Sequence, residues 1–294
     1  MIKIGMLGGA MSYHGRAFAC ILNGCDVKKW EAAGLWHPQR RIQGAKVIKV
    51  WDANEEDARR LAKLCYIDKV EKTTENMLEG VDAVILPDDG TMRHQRLAKP
   101  FLEARIPLFI DKPLSDNIGE AEDIVSTARE NDVPLMSCSA LRYARELEEA
   151  RKDIENIGTI LTGSAVGPGD LIYYGIHPLE LAYTVMGPGI ESVQNVGKTD
   201  RNIVRIAYRD RRSLVLQVFK GIAYVFHLTL YGEKGWKGIT VKDSAYFYWN
   251  MLNHFLQMVN ERRLPFPMEH TLEIIKTLAS AKESLETGKE IFLS

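Results

Sequence analysis

Short apolar runs alternate with amphipathic stretches over the first half of the chain. Residues 2–7, 45–52, 81–86, 106–110 and 133–138 are rich in Ile, Val, Leu and Met and predict strands. The run 106–110, Ile-Pro-Leu-Phe-Ile, shows no polar alternation, the pattern of a parallel strand covered on both faces. Between these runs the apolar positions recur at helical spacing. One helix runs through residues 16–22 and is closed by Asn23-Gly24. A second is capped by Asn54, with Asp57 at the capping-box position, and carries Ala58, Leu61, Ala62 and Leu64. A third spans 94–104, and a fourth, capped by Ser115 or Asp116, aligns Ile118, Ala121, Ile124, Val125 and Ala128. Strand–helix alternation of this kind predicts a doubly wound parallel sheet, an α/β Rossmann domain, over residues 1–140.

The pattern then changes period. A helix over 144–154 and a strand over 160–166 are followed by strands at 203–208, 213–220 and 224–231, joined by tight turns at 210–212 and 221–222. Leu214, Leu216 and Val218, then Tyr224, Phe226, Leu228 and Leu230, alternate at period two, which predicts an antiparallel sheet with one face buried. Helices at 246–261 and 269–286 follow, the second stopped by Gly288. Residues 141–294 therefore read as an α+β domain with a mainly antiparallel sheet, suited to substrate binding and oligomerisation. The opposite sheet face carries Val215, Gln217, Phe219, Val225, His227, Thr229 and Tyr231, rather apolar for a wet surface, and a homodimer or homotetramer is expected.

With 294 residues, 46% of them hydrophobic, both domains can bury a full core. Lys+Arg 38 against Asp+Glu 39 leaves a net charge of −1, so nothing in the charge argues for nucleic acid or an anionic membrane. No apolar run is long enough to span a bilayer, and the chain enters its first strand at once with no signal-peptide pattern. Cys20, Cys25, Cys65 and Cys138 lie in or beside apolar patterns with no zinc-ligand or CxxC spacing. Reduced thiols, no metal and a cytoplasmic location are expected.

Gly8-Gly9-Ala10 between the first strand and first helix has the context of a dinucleotide-binding turn, in which backbone N–H groups and a helix N-terminus meet a pyrophosphate. Against GxGxxG, Gly8 takes the first position, Ala10 the second and Tyr13 the third; a plain tight turn is the competing reading. Asp52, ending the second strand, can accept the adenosine ribose hydroxyls and would repel a 2′-phosphate, favouring NAD over NADP; Arg59 and Arg60 on the next helix argue the other way. Residues 25–45, with Trp30, Trp36 and His37, form an insertion that lengthens the usual spacing to this acid. Gly8, Ala10, Asp52, Pro87 and Lys112 are the candidate cofactor contacts. Lys112 follows the 106–110 strand and is fixed in extended geometry by Pro113, so it lies at the carboxyl end of a strand, where open α/β sheets bind ligands; a plain surface lysine is the alternative. His177 lies near the start of a helix that follows Tyr173 and Tyr174, and imidazole is the side chain best suited to exchange a proton near neutral pH.

These residues resemble the glucose–fructose oxidoreductase / inositol dehydrogenase / rhizopine-catabolism (Gfo/Idh/MocA) family over nearly the whole chain. The family's Glu-Lys-Pro stands here as Asp111-Lys112-Pro113, its arginine–aromatic pair as Arg142-Tyr143, and its Asp-x-Gly-x-His-x-x-Asp as Tyr173-x-Gly175-x-His177-x-x-Glu180; His94 stands where the family often has a histidine. The resemblance implies an NAD(H)-dependent oxidoreductase acting on a sugar, sugar acid or cyclic polyol. It implies catalytic roles for Lys112 and His177 on the reacting hydroxyl, with Tyr173 at the family's aspartate position and Arg142 and Tyr174 among the substrate contacts. Tyr173 cannot hold the aspartate's charge at neutral pH. That departure keeps two alternatives open: a redox-neutral NAD-dependent lyase or epimerase, and a non-catalytic ligand-binding protein on a dehydrogenase scaffold.

Overall fold

The computed structural model describes residues 1–88 and 90–293. Asp89, in the turn expected after the third apolar run, lies outside the described residues. The chain divides into two compact units, each described by itself.

The first unit comprises Met1–Ser115, Gly119–Ser137 and Tyr248–Met268. Its sheet is built from β1 (Ile2–Leu7), β2 (Ala45–Trp51), β3 (Lys69–Val70), β4 (Ala83–Leu86), β5 (Leu108–Ile110) and β6 (Leu135–Met136). The strands lie in the order β3-β2-β1-β4-β5-β6 and every pairing is parallel. β4 and β5 are buried at every residue, as their unbroken apolar sequence predicts. Helices α1 (Tyr13–Asn23), α2 (Val27–Ala32), α3 (Glu55–Cys65), α4 (His94–Glu103) and α5 (Ile118–Glu130) complete the alternation. Asn54 caps α3 by accepting the Glu56 N–H and donating to Asp57. The 25–45 insertion is anchored by Trp30 of α2, fully buried, whose indole N–H donates to the Trp36 carbonyl. The four cysteines are free thiols.

A linear division at residue 140 misses a return of the chain. All of α9 (Ser244–Glu261) from Tyr248 onward belongs to the first unit because its apolar side packs there. Phe255 lies 5.9 Å from Phe109 of β5, and Tyr248 lies 5.8 Å from Phe18 of α1.

The second unit comprises Asp116–Ile118, Cys138–Phe247 and Glu269–Ser294. The helix expected over 144–154 is two short ones, α6 (Arg145–Glu149) and α7 (Arg151–Asn156). The sheet holds β7 (Ile160–Pro168), β8 (Ile190–Asn195), β9 (Arg201–Tyr208), β10 (Ser213–Phe219), β11 (Phe226–Gly232), β12 (Gly235–Val241) and β13 (Ile291–Phe292), in the order β12-β11-β7-β10-β9-β8-β13. β10 and β11, expected to pair across a tight turn, are not neighbours. β7 lies between them, parallel to β10 and antiparallel to β11. Helices α8 (Ile176–Met186) and α10 (Met268–Thr287) complete the elements. Small residues on the covered face of β7 let α8 approach closely: a Cβ on Gly167 would stand 2.8 Å from the Pro178 ring. This contact seats the first turn of α8, and with it His177, on the sheet.

Candidate active site

Each unit brings together one set of the residues singled out in the sequence. In the first unit the turn after β1 is Gly8–Ser12. Gly8 and Gly9 take φ of 74° and 56°, the left-handed region that glycine adopts at little cost. A Cβ on Gly9 would come within 2.3 Å of the Pro87 carbonyl oxygen, and one on Gly15 within 2.1 Å of the Gly9 carbonyl oxygen. Gly15, not Tyr13, therefore does the work of the third fingerprint glycine, because the turn closes two residues later than the GxGxxG spacing assumes. Tyr13 instead stacks on Trp36 of the insertion, with ring centroids 5.4 Å apart. Pro87 also accepts from the Ser12 hydroxyl, so the end of β4 and the glycine turn are locked together.

Asp52 is fixed at the tip of β2. Its Oδ2 accepts the Ala10 N–H at 2.7 Å and its Oδ1 the Asn54 N–H at 2.8 Å. The turn thus has the tight backbone, the close helix packing and the acid at the second strand that a dinucleotide requires, and the residues present fit a nicotinamide dinucleotide. Arg59, a candidate for a 2′-phosphate, is paired with Glu55 on its own helix.

Lys112 is only 5% exposed, which excludes the plain surface lysine. It follows β5 through a cis peptide to Pro113. Its N–H donates to Oδ1 of Asp111 at 2.8 Å, and the Asp111 N–H donates to the Leu86 carbonyl of β4. His94 clamps the neighbouring loops, its ring nitrogens 2.9 Å from the Leu114 carbonyl and 2.5 Å from that of Asp88. Two buried neighbours of this cluster, His14 and Tyr248, were not found from sequence.

In the second unit, Asp170 accepts the N–H groups of Ile172 and Tyr173 and so shapes the loop into α8. His177 Nδ1 lies 2.7 Å from the Ser139 hydroxyl, and its ring is flanked edge-on by Tyr174 and Phe226. The Tyr173 hydroxyl donates to Asp116 at 3.1 Å. Burial and then the Asp116 carboxylate both push the Tyr173 phenol up, which keeps it protonated. A carboxylate thus stands beside the position where the family's aspartate is replaced. Ser139 and Asp116 escaped the sequence reading because each acts across a long stretch of intervening chain.

Arg142, expected among the substrate contacts, is paired with Glu180 of α8. Its guanidinium meets Glu180 through Nε at 2.6 Å and Nη2 at 2.5 Å, both side chains being nearly inaccessible. Burial opposes the charge on Arg142, but its neighbours, Glu180 foremost among them, together outweigh it and hold the guanidinium above its ordinary value. Tyr174 is 41% exposed, as a side chain free to meet a ligand would be.

Residues 2–138 match the family model described as the oxidoreductase family with an NAD-binding Rossmann fold. The chain is 23% identical over 229 residues to the myo-inositol 2-dehydrogenase of Thermotoga maritima, covering 67% of this chain and 68% of that one. Among solved structures, the myo-inositol dehydrogenase of Lactobacillus casei, determined with NAD(H) and myo-inositol, matches with a TM-score of 0.83 at 17% identity, over 100% of this chain and 97% of that one. GenD2 from gentamicin A biosynthesis, determined with NAD, matches with a TM-score of 0.84 at 16% identity, over 100% of this chain and 96% of that one. No helix among the described residues is long and apolar enough to cross a membrane. The family match is thus to the Gfo/Idh/MocA oxidoreductases, and residues 2–138, which form the parallel sheet and its helices, carry it.

Proposed function

We propose that this protein oxidises a secondary hydroxyl of a cyclic polyol, sugar or sugar acid with NAD. One observation carries the reading: the buried Lys112 follows β5, and its neighbour Asp111 bonds His14, on the helix opened by the glycine turn. A lysine so placed stands beside the turn suited to the dinucleotide. The relatives named for inositol supply the substrate class.

Gly8, Ala10, Asp52 and Pro87 would hold the cofactor. Bound NAD would accept the hydride from the carbinol carbon. The chain's own residues handle the rest. Lys112 hydrogen-bonds the reacting hydroxyl and offsets the negative charge developing on its oxygen. His177 takes the hydroxyl proton. Its Nδ1 lies 2.7 Å from the Ser139 hydroxyl, which orients the ring. Tyr173, held protonated by Asp116, hydrogen-bonds the substrate, and Tyr174 adds an aromatic face. Arg142 acts through Glu180 by fixing α8 rather than by touching substrate.

The test is a screen of inositols, sugars and sugar acids with NAD and with NADP, read at the absorbance of the reduced nicotinamide. Turnover of a polyol with NAD is expected. NAD should bind more tightly than NADP by about tenfold, the worth of about 1.4 kcal/mol of repulsion between Asp52 and a 2′-phosphate. Tighter binding of NADP would reject the role of Asp52, and absence of any dinucleotide binding would reject the enzyme reading.

The open face of the second sheet supports a homo-oligomer. Ile203, Tyr231 and Trp236 are exposed there, 37%, 46% and 68% respectively, alongside half-buried Val215 and Phe219. Face-to-face packing about a two-fold axis would cover them. Light scattering at micromolar concentration should give a dimer or tetramer mass, and Trp236→Asp should lower it; a monomer mass for the unaltered protein would reject this surface as the interface.

A further inference from the structure

His14, Asp111 and Tyr248 come from α1, the end of β5 and α9, yet they form one buried hydrogen-bonded line. His14 Nδ1 lies 2.5 Å from Asp111 Oδ2, and His14 Nε2 lies 3.0 Å from the Tyr248 hydroxyl. His14 is 7% exposed, Asp111 2% and the adjoining Lys112 5%. Phe18 stacks on the imidazole at 5.5 Å with its plane tilted by 11°, and Tyr13 meets it edge-on at 5.8 Å. The ring therefore has little room to turn.

A carboxylate this deeply buried must be paired or must take up a proton. Asp111 uses both oxygens on this side of the site: Oδ2 faces His14 and Oδ1 accepts the Lys112 N–H. Rotation of the Asp111 carboxyl would release the backbone at the point where the chain leaves β5. The Tyr248 hydroxyl serves either state of the imidazole. It donates to Nε2 when the ring is neutral and accepts from it when the ring is protonated, so Nδ1–H stays on Asp111 in both.

We infer that His14 is a positioning residue for Lys112: by donating Nδ1–H to Asp111, with Tyr248 bracing its other nitrogen, it keeps that carboxylate aimed at the Lys112 backbone. The electrostatics agree. Burial by itself would raise the Asp111 carboxyl, but the charge and hydrogen bond of His14, and then Lys112, outweigh it and hold the group below the usual carboxylate range. Among the described residues, Lys112 from the end of β5, Tyr248 from α9 and Tyr13 from α1 are the titratable groups seen against the pair.

The kinetic part of the test rests on the dehydrogenase reading; the spectroscopic part does not. His14→Asn keeps an N–H donor near the position of Nδ1 and removes the possible charge. Asp111 should then protonate at a higher pH, so the acid limb of kcat/KM should move toward neutrality by roughly 1–3 pH units. The C=O stretch of a protonated Asp111, isolated by infrared difference against Asp111→Asn, should appear at correspondingly higher pH in His14→Asn without any substrate present. Tyr248→Phe should move both readouts in the same direction by less, and it decides the matter should His14→Asn not fold. Lower turnover at every pH with both midpoints unmoved would overturn the inference and leave His14 as core packing. An infrared shift in a protein that oxidises no polyol would uphold the inference and reject the dehydrogenase reading.

Discussion

Replacing Lys112 with alanine is expected to lower kcat by roughly 10²–10⁴-fold, the worth of a positioned proton-handling group, while NAD affinity changes far less. The substitution removes a buried ammonium that would lie against the developing alkoxide, an interaction made mostly in the transition state. Lys112→Arg should not restore turnover. A guanidinium stays protonated, its planar fork demands more room than a buried ammonium leaves, and it presents its donors in a different direction. His177→Ala should lose somewhat less if Tyr173 or Tyr174 relays the proton in its place. Measuring NAD affinity and steady-state turnover for all three variants separates binding from chemistry. Near-wild-type turnover in Lys112→Ala would remove this lysine from the mechanism.

What could be read from the sequence follows the range of the forces involved. Apolar runs such as 108–110 mark buried parallel strands because strand and helix periods are local, and the five expected strands formed the parallel sheet, to which the two-residue β3 adds a sixth. Lys112 was legible for the same reason: Pro113 next to it and the strand before it set its place. The position of β7 between β10 and β11 was not legible. A six-residue link after β10 looks like a hairpin turn, and only the small residues of β7, packed beneath α8, mark it as a central strand. Gly15 was overlooked because the fingerprint fixes a spacing, whereas the backbone needs only a residue without a side chain where α1 crosses the turn. The His14–Asp111 pair joins residues 97 positions apart, and Ser139 reaches His177 across 38. Neither residue type at such a distance carries a local signature. Tyr173 shows the converse. The sequence exposed the missing aspartate, and the fold supplies Asp116 to its hydroxyl.

Arg142→Met is expected to cost about 3–5 kcal/mol of stability, because it leaves Glu180 as an unpaired buried charge. Glu180→Gln should cost a similar amount for the opposite reason. The double variant Arg142→Met/Glu180→Leu should recover most of the loss, since burying two apolar side chains avoids desolvating two ions. A double-mutant cycle on the midpoint of urea unfolding then gives the coupling directly. The pair also bears on the chemistry. Burial pushes the Glu180 carboxyl up, while Arg142 and the Ser139 N–H work against it, so the same carboxylate ties the segment carrying Ser139 to the helix carrying His177. Breaking the pair should therefore lower kcat through His177 as well as destabilise the fold. A direct substrate contact at Arg142 would behave otherwise: Arg142→Met would raise KM and leave the unfolding midpoint where it was. The two patterns do not overlap, and the one observed decides whether this arginine binds substrate or holds α8 in place.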